Sequence, residues 1–140
     1  MAIDRLNPDP LDAPTGMYSL LSIAPSSGRL AVVSGQTGRR DDGSLAPDAS
    51  AQAANAIANV RTALEAVGAE FSDVLLLRWL VTDREVAEAV RATRDRELAA
   101  VQAADSPPSS TMAIVTGLAD RRALVEVEAW FVIPNDYPES

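Results

Sequence analysis

Apolar residues fall into two strand-like runs near the start of the 140-residue chain. Residues 17–23 and 29–34 are short runs rich in aliphatic side chains, and the sequence Pro-Ser-Ser-Gly separates them. Two strands joined by so short a turn are expected to pair as a hairpin. Pro8, Pro10 and Pro14 come earlier and predict that residues 1–15 form an extended N-terminal arm.

Residues 53–67 carry apolar side chains at helical spacing, which predicts one buried stripe on a first helix. Asp48 or Ser50 can cap the start of this helix because either side chain can accept a backbone hydrogen bond. Gly68 is placed to end the helix in the left-handed conformation.

A second helix is predicted after the capping-box sequence that runs from Thr82 to Glu85. It is expected to continue to about residue 103. The Pro107–Pro108 pair forbids its continuation, because proline lacks the amide hydrogen that a helix needs.

Residues 74–81 read VLLLRWLV, a nearly continuous apolar run that predicts a central strand buried on both faces. Further strands are predicted over residues 111–116 and 125–133. The resulting order, β-β-α-β-α-β-β, is typical of an α+β sandwich with helices on one face of a sheet, and residues 1–140 form a single domain. Because no helix remains for the other face, an oligomer such as a cyclic trimer is expected to cover it.

The composition limits the chemistry, because the chain contains no cysteine and no histidine. Disulfides, thiolate nucleophiles and cysteine-based metal sites are excluded, as is a Ser–His–Asp triad. Any reaction must use carboxylates, arginines, hydroxyls, backbone groups or a bound water. We therefore predict neither a metal site nor a cofactor.

The net charge of -8 repels phosphate backbones, so nucleic acid is not an expected partner. No apolar run approaches the length of a membrane span, and a membrane is not expected to be a partner either. The polar, proline-containing N-terminus lacks the layout of a signal peptide. We expect a cytoplasmic protein.

Five segments between residues 16 and 133 keep the order and spacing of motifs from one family: Gly16-Met17-Tyr18-Ser19, Ser34-Gly35-Gln36, Asn59-Val60 with Leu64-Glu65-Ala66-Val67-Gly68, Val81-Thr82-Asp83, and Val125-Glu126-Val127-Glu128-Ala129. Together they resemble the RidA/YjgF family, whose proteins are also labelled RutC-like or L-PSP. The resemblance implies a chorismate-mutase-like fold with a mixed sheet. It also implies a homotrimer with a central barrel of sheets and three ligand clefts between subunits.

The resemblance implies one difference at the ligand cleft. Deaminating members carry an arginine at the start of the strand after the second helix, and its planar fork binds the substrate carboxylate. Ser110 occupies that position here, within Pro107-Pro108-Ser109-Ser110-Thr111. A hydroxyl supplies no charge, so weak binding of simple 2-imino acids is implied. Alternatively, Ser110 merely begins a strand.

Glu126 is the catalytic candidate, because the resemblance places it near the cleft, where it can orient a water for hydrolysis of a C=N bond. Glu126 and Glu128 share one face of a strand, and Glu128 is assigned to a solvated outer face. Arg78 interrupts an apolar strand, and we expect it to be buried and paired with one of these glutamates.

The substrate-binding candidates include Tyr18, Gly35, Gln36 and Met112 along the implied cleft. Arg91 and Arg94 lie one turn apart on the second helix. Either arginine can supply the charge that Ser110 lacks, or both can extend to solvent. Trp79 and Trp130 are expected in the core or at an interface.

The predicted function is therefore binding of a small metabolite in clefts between subunits. The enzymatic version hydrolyses an enamine, an imine or a related compound with a water held by Glu126, without being a standard 2-imino acid deaminase. The alternative is a non-catalytic trimer that binds a metabolite or a protein. An endoribonuclease or translation inhibitor is disfavoured by the negative charge and the absence of histidine.

Overall fold

The structure is a computed structural model that describes residues 2–104, 106–134 and 136–139. Its elements, in chain order, are strands β1 (Asp4–Leu6), β2 (Leu21–Ile23) and β3 (Arg29–Thr37), helix α1 (Ala49–Glu65), a 3₁₀ turn (Phe71–Asp73), strand β4 (Val74–Val81), helices α2 (Arg84–Glu97) and α3 (Ala99–Ala104), and strands β5 (Ser109–Ile114) and β6 (Val125–Ile133).

The main sheet has four strands in the order β3-β6-β4-β5. Strand β6 pairs antiparallel with both β3 and β4, whereas β4 and β5 run parallel. The sheet is therefore mixed. Helices α1 and α2 contact each other and cover one of its faces. The α+β prediction, with helices on one face of a mixed sheet, is confirmed.

The first helix begins and ends as predicted. The Asp48 carboxylate accepts a hydrogen bond of 2.8 Å from the Ala51 amide. Beyond the last turn Gly68 takes a φ of 72°, and the Ala69 amide donates to the Leu64 carbonyl at 2.9 Å. The left-handed glycine thus lets the chain reverse while the last carbonyls stay bonded.

The prediction for the second helix was wrong at both ends. Asp83, not Thr82, is the N-cap, and its carboxylate accepts from the Val86 amide at 2.8 Å. A carboxylate at this position interacts well with the positive helix end, so the helix starts one residue later. The helix also ends at Glu97, and the short α3 follows after a cap at Leu98.

The predicted hairpin of residues 17–23 with residues 29–34 is wrong. Strand β2 pairs with β1, and β3 pairs with β6. The arm therefore contains a regular strand that the prolines did not suggest. The physical reason is that backbone groups near β2 find partners in the arm and beside β5: the Leu20 amide donates to Asn7 at 2.9 Å, and the Ser19 amide to the Pro108 carbonyl at 3.2 Å.

Strand β4 is central in the sheet but is not buried on both faces within one chain, which corrects that prediction. Its Leu77 and Trp79 side chains point into the helix-covered core, whereas Leu76, Arg78 and Leu80 point to the other face. That uncovered face also carries apolar side chains of neighbouring strands, including Val32, 48% exposed, and Trp130, 37% exposed. Strand β5 starts at residue 109, two residues before the predicted bound.

None of the helices in the described parts of the chain is long and apolar enough to cross a membrane.

Candidate functional site

The predicted site residues divide between the two faces of the main sheet. In β5, Ser110 lies beside Leu77 and Met112 beside Trp79, so both point to the helix-covered face. In β6, Glu126 lies beside Leu80 on the opposite face. Neighbouring residues in register share a face, which makes this assignment independent of side-chain rotamers.

On the helix-covered face is a cleft of about 460 Å³, which we call the helix-side cleft. Its lining residues come from the segment before β2, from α2 and from β5: Thr15, Gly16, Tyr18, Arg91, Arg94, Ser110 and Met112. Five of the predicted binding residues thus come together. Thr15 and Gly16 were not predicted as site residues, although Gly16 begins the Gly-Met-Tyr motif and Thr15 directly precedes it.

Hydrogen bonds from Ser19 to the segment before β5 hold Tyr18 at the same cleft as Ser110. Ser19 is buried, and its hydroxyl donates to the Pro107 carbonyl at 2.6 Å. Ser19 also forms a parallel bridge with Ser109. Pro107 and Pro108, which follow the helical segment, therefore supply the carbonyls that hold the chain at Ser19.

Arg94 is buried in the cleft wall and is only 6% exposed. Its Nε donates to Asp95 Oδ1 at 2.9 Å, and its Nη2 lies 2.9 Å from the same oxygen. A buried guanidinium without an anion would be strongly destabilising. The Asp95 carboxylate offsets the positive charge of Arg94 and orients its guanidinium. Arg91 is exposed at the same cleft. Of the two alternatives for these arginines, extension into solvent therefore does not describe Arg94.

The Tyr18 hydroxyl is positioned by Thr15. The Thr15 amide donates to it at 3.4 Å, and the two hydroxyl oxygens are also 3.4 Å apart. Hydrogen bonds from the Thr15 hydroxyl and amide lower the pKa of Tyr18 below its usual value of 10.0. The phenol therefore presents a fixed polar tip on an apolar ring.

On the uncovered face is a smaller hollow of about 120 Å³, which we call the open-face depression. It is lined by Gly35, Arg78, Leu80, Glu126 and Glu128. A Cβ on Gly35 would overlap the Glu126 carboxylate and lie 2.9 Å from its Cγ. Gly35 sits at an irregularity in the pairing of β3 with β6, where close approach of a neighbour requires the absence of a side chain.

The two glutamates of the depression have different surroundings. Glu128 Oε1 accepts a hydrogen bond of 3.0 Å from the Trp130 indole and lies 3.9 Å from Arg78 Nη1. Glu126 has no hydrogen-bond or ion-pair partner among the residues that the structure describes. The Arg78 side chain is 57% exposed, so the expectation that it is buried was wrong for one chain, although its pairing with Glu128 was anticipated.

Gln36 does not line either region among the described residues. Its side-chain amide donates to the Ser34 carbonyl at 3.1 Å, so it folds back on its own strand. No pattern in the sequence indicated a role for Asp95 either. Residues adjacent on a helix point about 100° apart, so a contact between Arg94 and Asp95 is not expected from their spacing.

Side-chain contacts fix the loop that leads into Glu126. Gln52, which is buried, donates to the Arg122 carbonyl at 3.0 Å and accepts from the Leu124 amide at 2.8 Å. Arg122 also makes a two-point ion pair with Asp120, at 3.1 and 2.8 Å. The Arg122 guanidinium holds the pKa of Asp120 at about 2.

Comparisons with known proteins agree with this fold. The sequence profile described as Endoribonuclease L-PSP matches residues 10–133. The RutC family protein YjgH of Escherichia coli K12 is 39% identical over 77 residues, which are 51% of this chain and 59% of that protein. The chain therefore matches little more than half the length of this relative.

Two solved structures are also similar. That of YyfB, a Rid family protein of unknown function from Yersinia pestis, has a TM-score of 0.80 at 26% identity. The match covers 94% of this chain and 99% of YyfB. A structure of protein YjgH has a TM-score of 0.67 at 31% identity, with 85% of each chain covered.

Proposed function

The chain belongs to the Endoribonuclease L-PSP family, which is the RidA/YjgF family of the sequence motifs, and from this premise we propose that it binds a small carboxylate-bearing metabolite in a cleft between two subunits of a homotrimer. The observation that carries the proposal is the buried Arg94 guanidinium in the helix-side cleft, next to Ser110. Arg94 thus brings to the cleft the positive charge that Ser110 cannot provide.

Recognition of a carboxylate by Arg94 is chemically reasonable. A guanidinium carries five N–H donors, and the Asp95 oxygen engages two of its nitrogens. Donors remain for a ligand in the cleft. Ser110 and Tyr18 add hydroxyls, and Met112 adds an apolar surface. A ligand with one carboxylate and a short carbon chain matches this lining.

The proposed homotrimer would bring together two groups that a single chain holds apart. Arg94 and Glu126 lie on opposite faces of the same sheet, so one subunit cannot place both around one small ligand. Strand β5, which carries Ser110, lies at the edge of the sheet, so in a cyclic trimer this edge can meet the uncovered face of a neighbouring copy and bring that copy's Glu126 towards the helix-side cleft. The exposed Leu30, Val32 and Trp130 favour such burial of sheet against sheet.

Hydrolysis of an enamine or imine is the second candidate function, and the surroundings of Glu126 favour it. The Glu126 carboxylate has no partner in the described chain, unlike Glu128. A free carboxylate can accept a proton from a water that attacks a C=N carbon. The net charge of -8 and the absence of histidine speak against the ribonuclease activity that the family description mentions.

Isothermal titration with 2-oxobutyrate tests the binding proposal. We expect Arg94→Gln to weaken binding by about 10-fold or more, because a hydrogen bond to a charged group contributes about 1.5–3 kcal/mol. Arg96→Gln is the matched control, since Arg96 lies on the same helix with a side chain that is 64% exposed. Equal loss in both variants, or no binding by the unmodified protein to any small carboxylate, would contradict the proposal.

A coupled assay with freshly generated 2-iminobutyrate and a panel of other imines tests the catalytic candidate. We expect acceleration on at least one imine other than a simple 2-imino acid, and a large loss in Glu126→Gln but not in Glu128→Gln. If carboxylates bind and no imine is hydrolysed faster than in free solution, the protein is a binding module and the hydrolase candidate is wrong.

A further inference from the structure

The lining of the helix-side cleft has an unusual charge balance for a chain that is acidic overall. Of its seven residues, Arg91 and Arg94 are cationic, three carry hydroxyls, and none is a carboxylate. The chain has 20 acidic and 12 basic residues, so a lining with two cations and no anion runs against the composition. Such a lining favours an anionic ligand electrostatically.

The two arginines differ in how they are held. Arg94 is buried and fixed by Asp95, which offsets part of its charge. Arg91 is exposed and has no ion-pair partner among the described residues. Because they are three residues apart on α2, their side chains leave the same side of the helix. The cleft therefore contains one fixed cation deep in its wall and one adjustable cation at its mouth.

The size of the cleft exceeds what a single short acid requires. A volume of about 460 Å³ lies within the range of about 300–1,000 Å³ typical of ligand pockets that enclose much larger molecules. A ligand anchored by one anionic group at Arg94 thus has room to extend towards Arg91. The apolar part of such a ligand can lie against the Tyr18 ring and Met112.

We infer that the helix-side cleft prefers a small ligand with two negative charges, and that Arg91 is the residue that recognises the second charge. The inference rests on the proposed function and narrows its ligand class to dianions. Arg94 holds one anionic group, and Arg91 binds a second carboxylate or a phosphate at the mouth of the cleft. Thr15 and Ser110 supply hydroxyl donors of the kind that both anions accept.

Titration of the 140-residue chain with a matched set of probes tests the inference. The set is 2-oxobutyrate as monoanion, 2-oxoglutarate as dicarboxylate and glycerol 3-phosphate as phosphomonoester. We expect at least one dianion to bind about tenfold more tightly than 2-oxobutyrate, which corresponds to one added charge-assisted contact. Comparing the binding at pH 8 with that at pH 5 distinguishes a phosphate ligand from a dicarboxylate. A phosphomonoester gains a proton near pH 6, whereas a dicarboxylate stays ionised.

Two variants assign the preference to a residue. In Arg91→Gln the preference should be lost, so that the dianion binds no more tightly than 2-oxobutyrate does to the same variant. In Arg96→Gln, which removes the same charge from an exposed site on the same helix, the preference should persist. Binding of 2-oxobutyrate without any preference for a dianion would overturn this inference and leave the proposed function intact. A preference that survives in Arg91→Gln would overturn the role of Arg91, and failure of every probe would overturn the proposed function itself.

Discussion

The helix-side cleft and the open-face depression lie on opposite faces of one sheet and have complementary chemistry. The cleft contains two arginines and no carboxylate, whereas the depression contains two glutamates and one arginine. One region is suited to hold an anionic group, and the other to present a carboxylate. One subunit thus keeps a buried guanidinium and the Glu126 carboxylate on opposite faces of its sheet, and it is the proposed assembly that would bring them together.

The largest effect is expected from the tryptophan that supports both regions. Trp79 is fully buried in β4, where it lies beside Met112 of the cleft and between Arg78 and Leu80 of the depression. Trp79→Ala should lower the free energy of unfolding by about 3–5 kcal/mol, because it leaves a large cavity in the core. Urea denaturation followed by circular dichroism measures this loss.

Trp130→Ala is the matched comparison on the uncovered face. Trp130 is 37% exposed, so its removal should change the fold of a subunit little but weaken an assembly that buries this face. Analytical ultracentrifugation should show smaller species in Trp130→Ala than in the unmodified protein. An unchanged sedimentation profile would mean that the uncovered face is not where subunits meet.

An intermediate effect is expected at Gly35. The added methyl group of Gly35→Ala would overlap the Glu126 side chain, which must then leave its position at a cost of about 0.5–1.5 kcal/mol. Gly117→Ala is the control, because no atom lies within 4 Å of a Cβ built there. Thermal and urea unfolding of the two variants should differ accordingly.

The double variant Gly35→Ala with Glu126→Ala sharpens this prediction. Removal of the Glu126 side chain beyond its Cβ frees the space that the new methyl group needs, so most of the lost stability should return. A double-mutant cycle measures the coupling. Additive losses would show that Gly35 is required for its backbone and not for the approach of Glu126.

The smallest effect is expected in the pH dependence of stability, and it concerns the loop before Glu126. The folded pKa of Asp120 is about 2, below its usual value of 3.8, because Arg122 binds its carboxylate. A carboxylate with a depressed pKa stabilises the fold at pH values above its usual pKa. This stabilisation is lost as the pH falls from about 4 to about 2. Asp120→Asn should flatten the stability profile in that window, and an unchanged profile would show that the pair contributes nothing.

Much of the fold was predictable because the core strands and helices follow regular periodicities. The first helix with its Asp48 cap and Gly68 end was predicted, since capping depends on local residue types. The hairpin prediction failed because strand pairing depends on distant partners. No local pattern indicates that the Ser19 amide bonds to Pro108 instead of extending a hairpin towards β3.

The candidate site was predictable only in part for a similar reason. The resemblance selected Ser110, Tyr18 and Met112, which do line one cleft. The burial of Arg94 was left open because of its position on the apolar stripe of the helix. Periodicity alone does not distinguish an arginine there that extends to solvent from one that is buried and paired with a neighbouring carboxylate. The separation of Glu126 from the other site residues follows from strand register, which the sequence does not specify.

The most direct test of the central claim is a cysteine cross-link between the two regions. The chain has no cysteine, so Ser110→Cys and Glu126→Cys each introduce a single thiol. A short bismaleimide added to a refolded mixture of the two variants should join them into a covalent heterodimer, whereas a mixture of Ser110→Cys with Ser72→Cys should not. Failure of the first mixture to cross-link, or a link that forms only within one chain carrying both substitutions, would contradict a cleft shared between subunits.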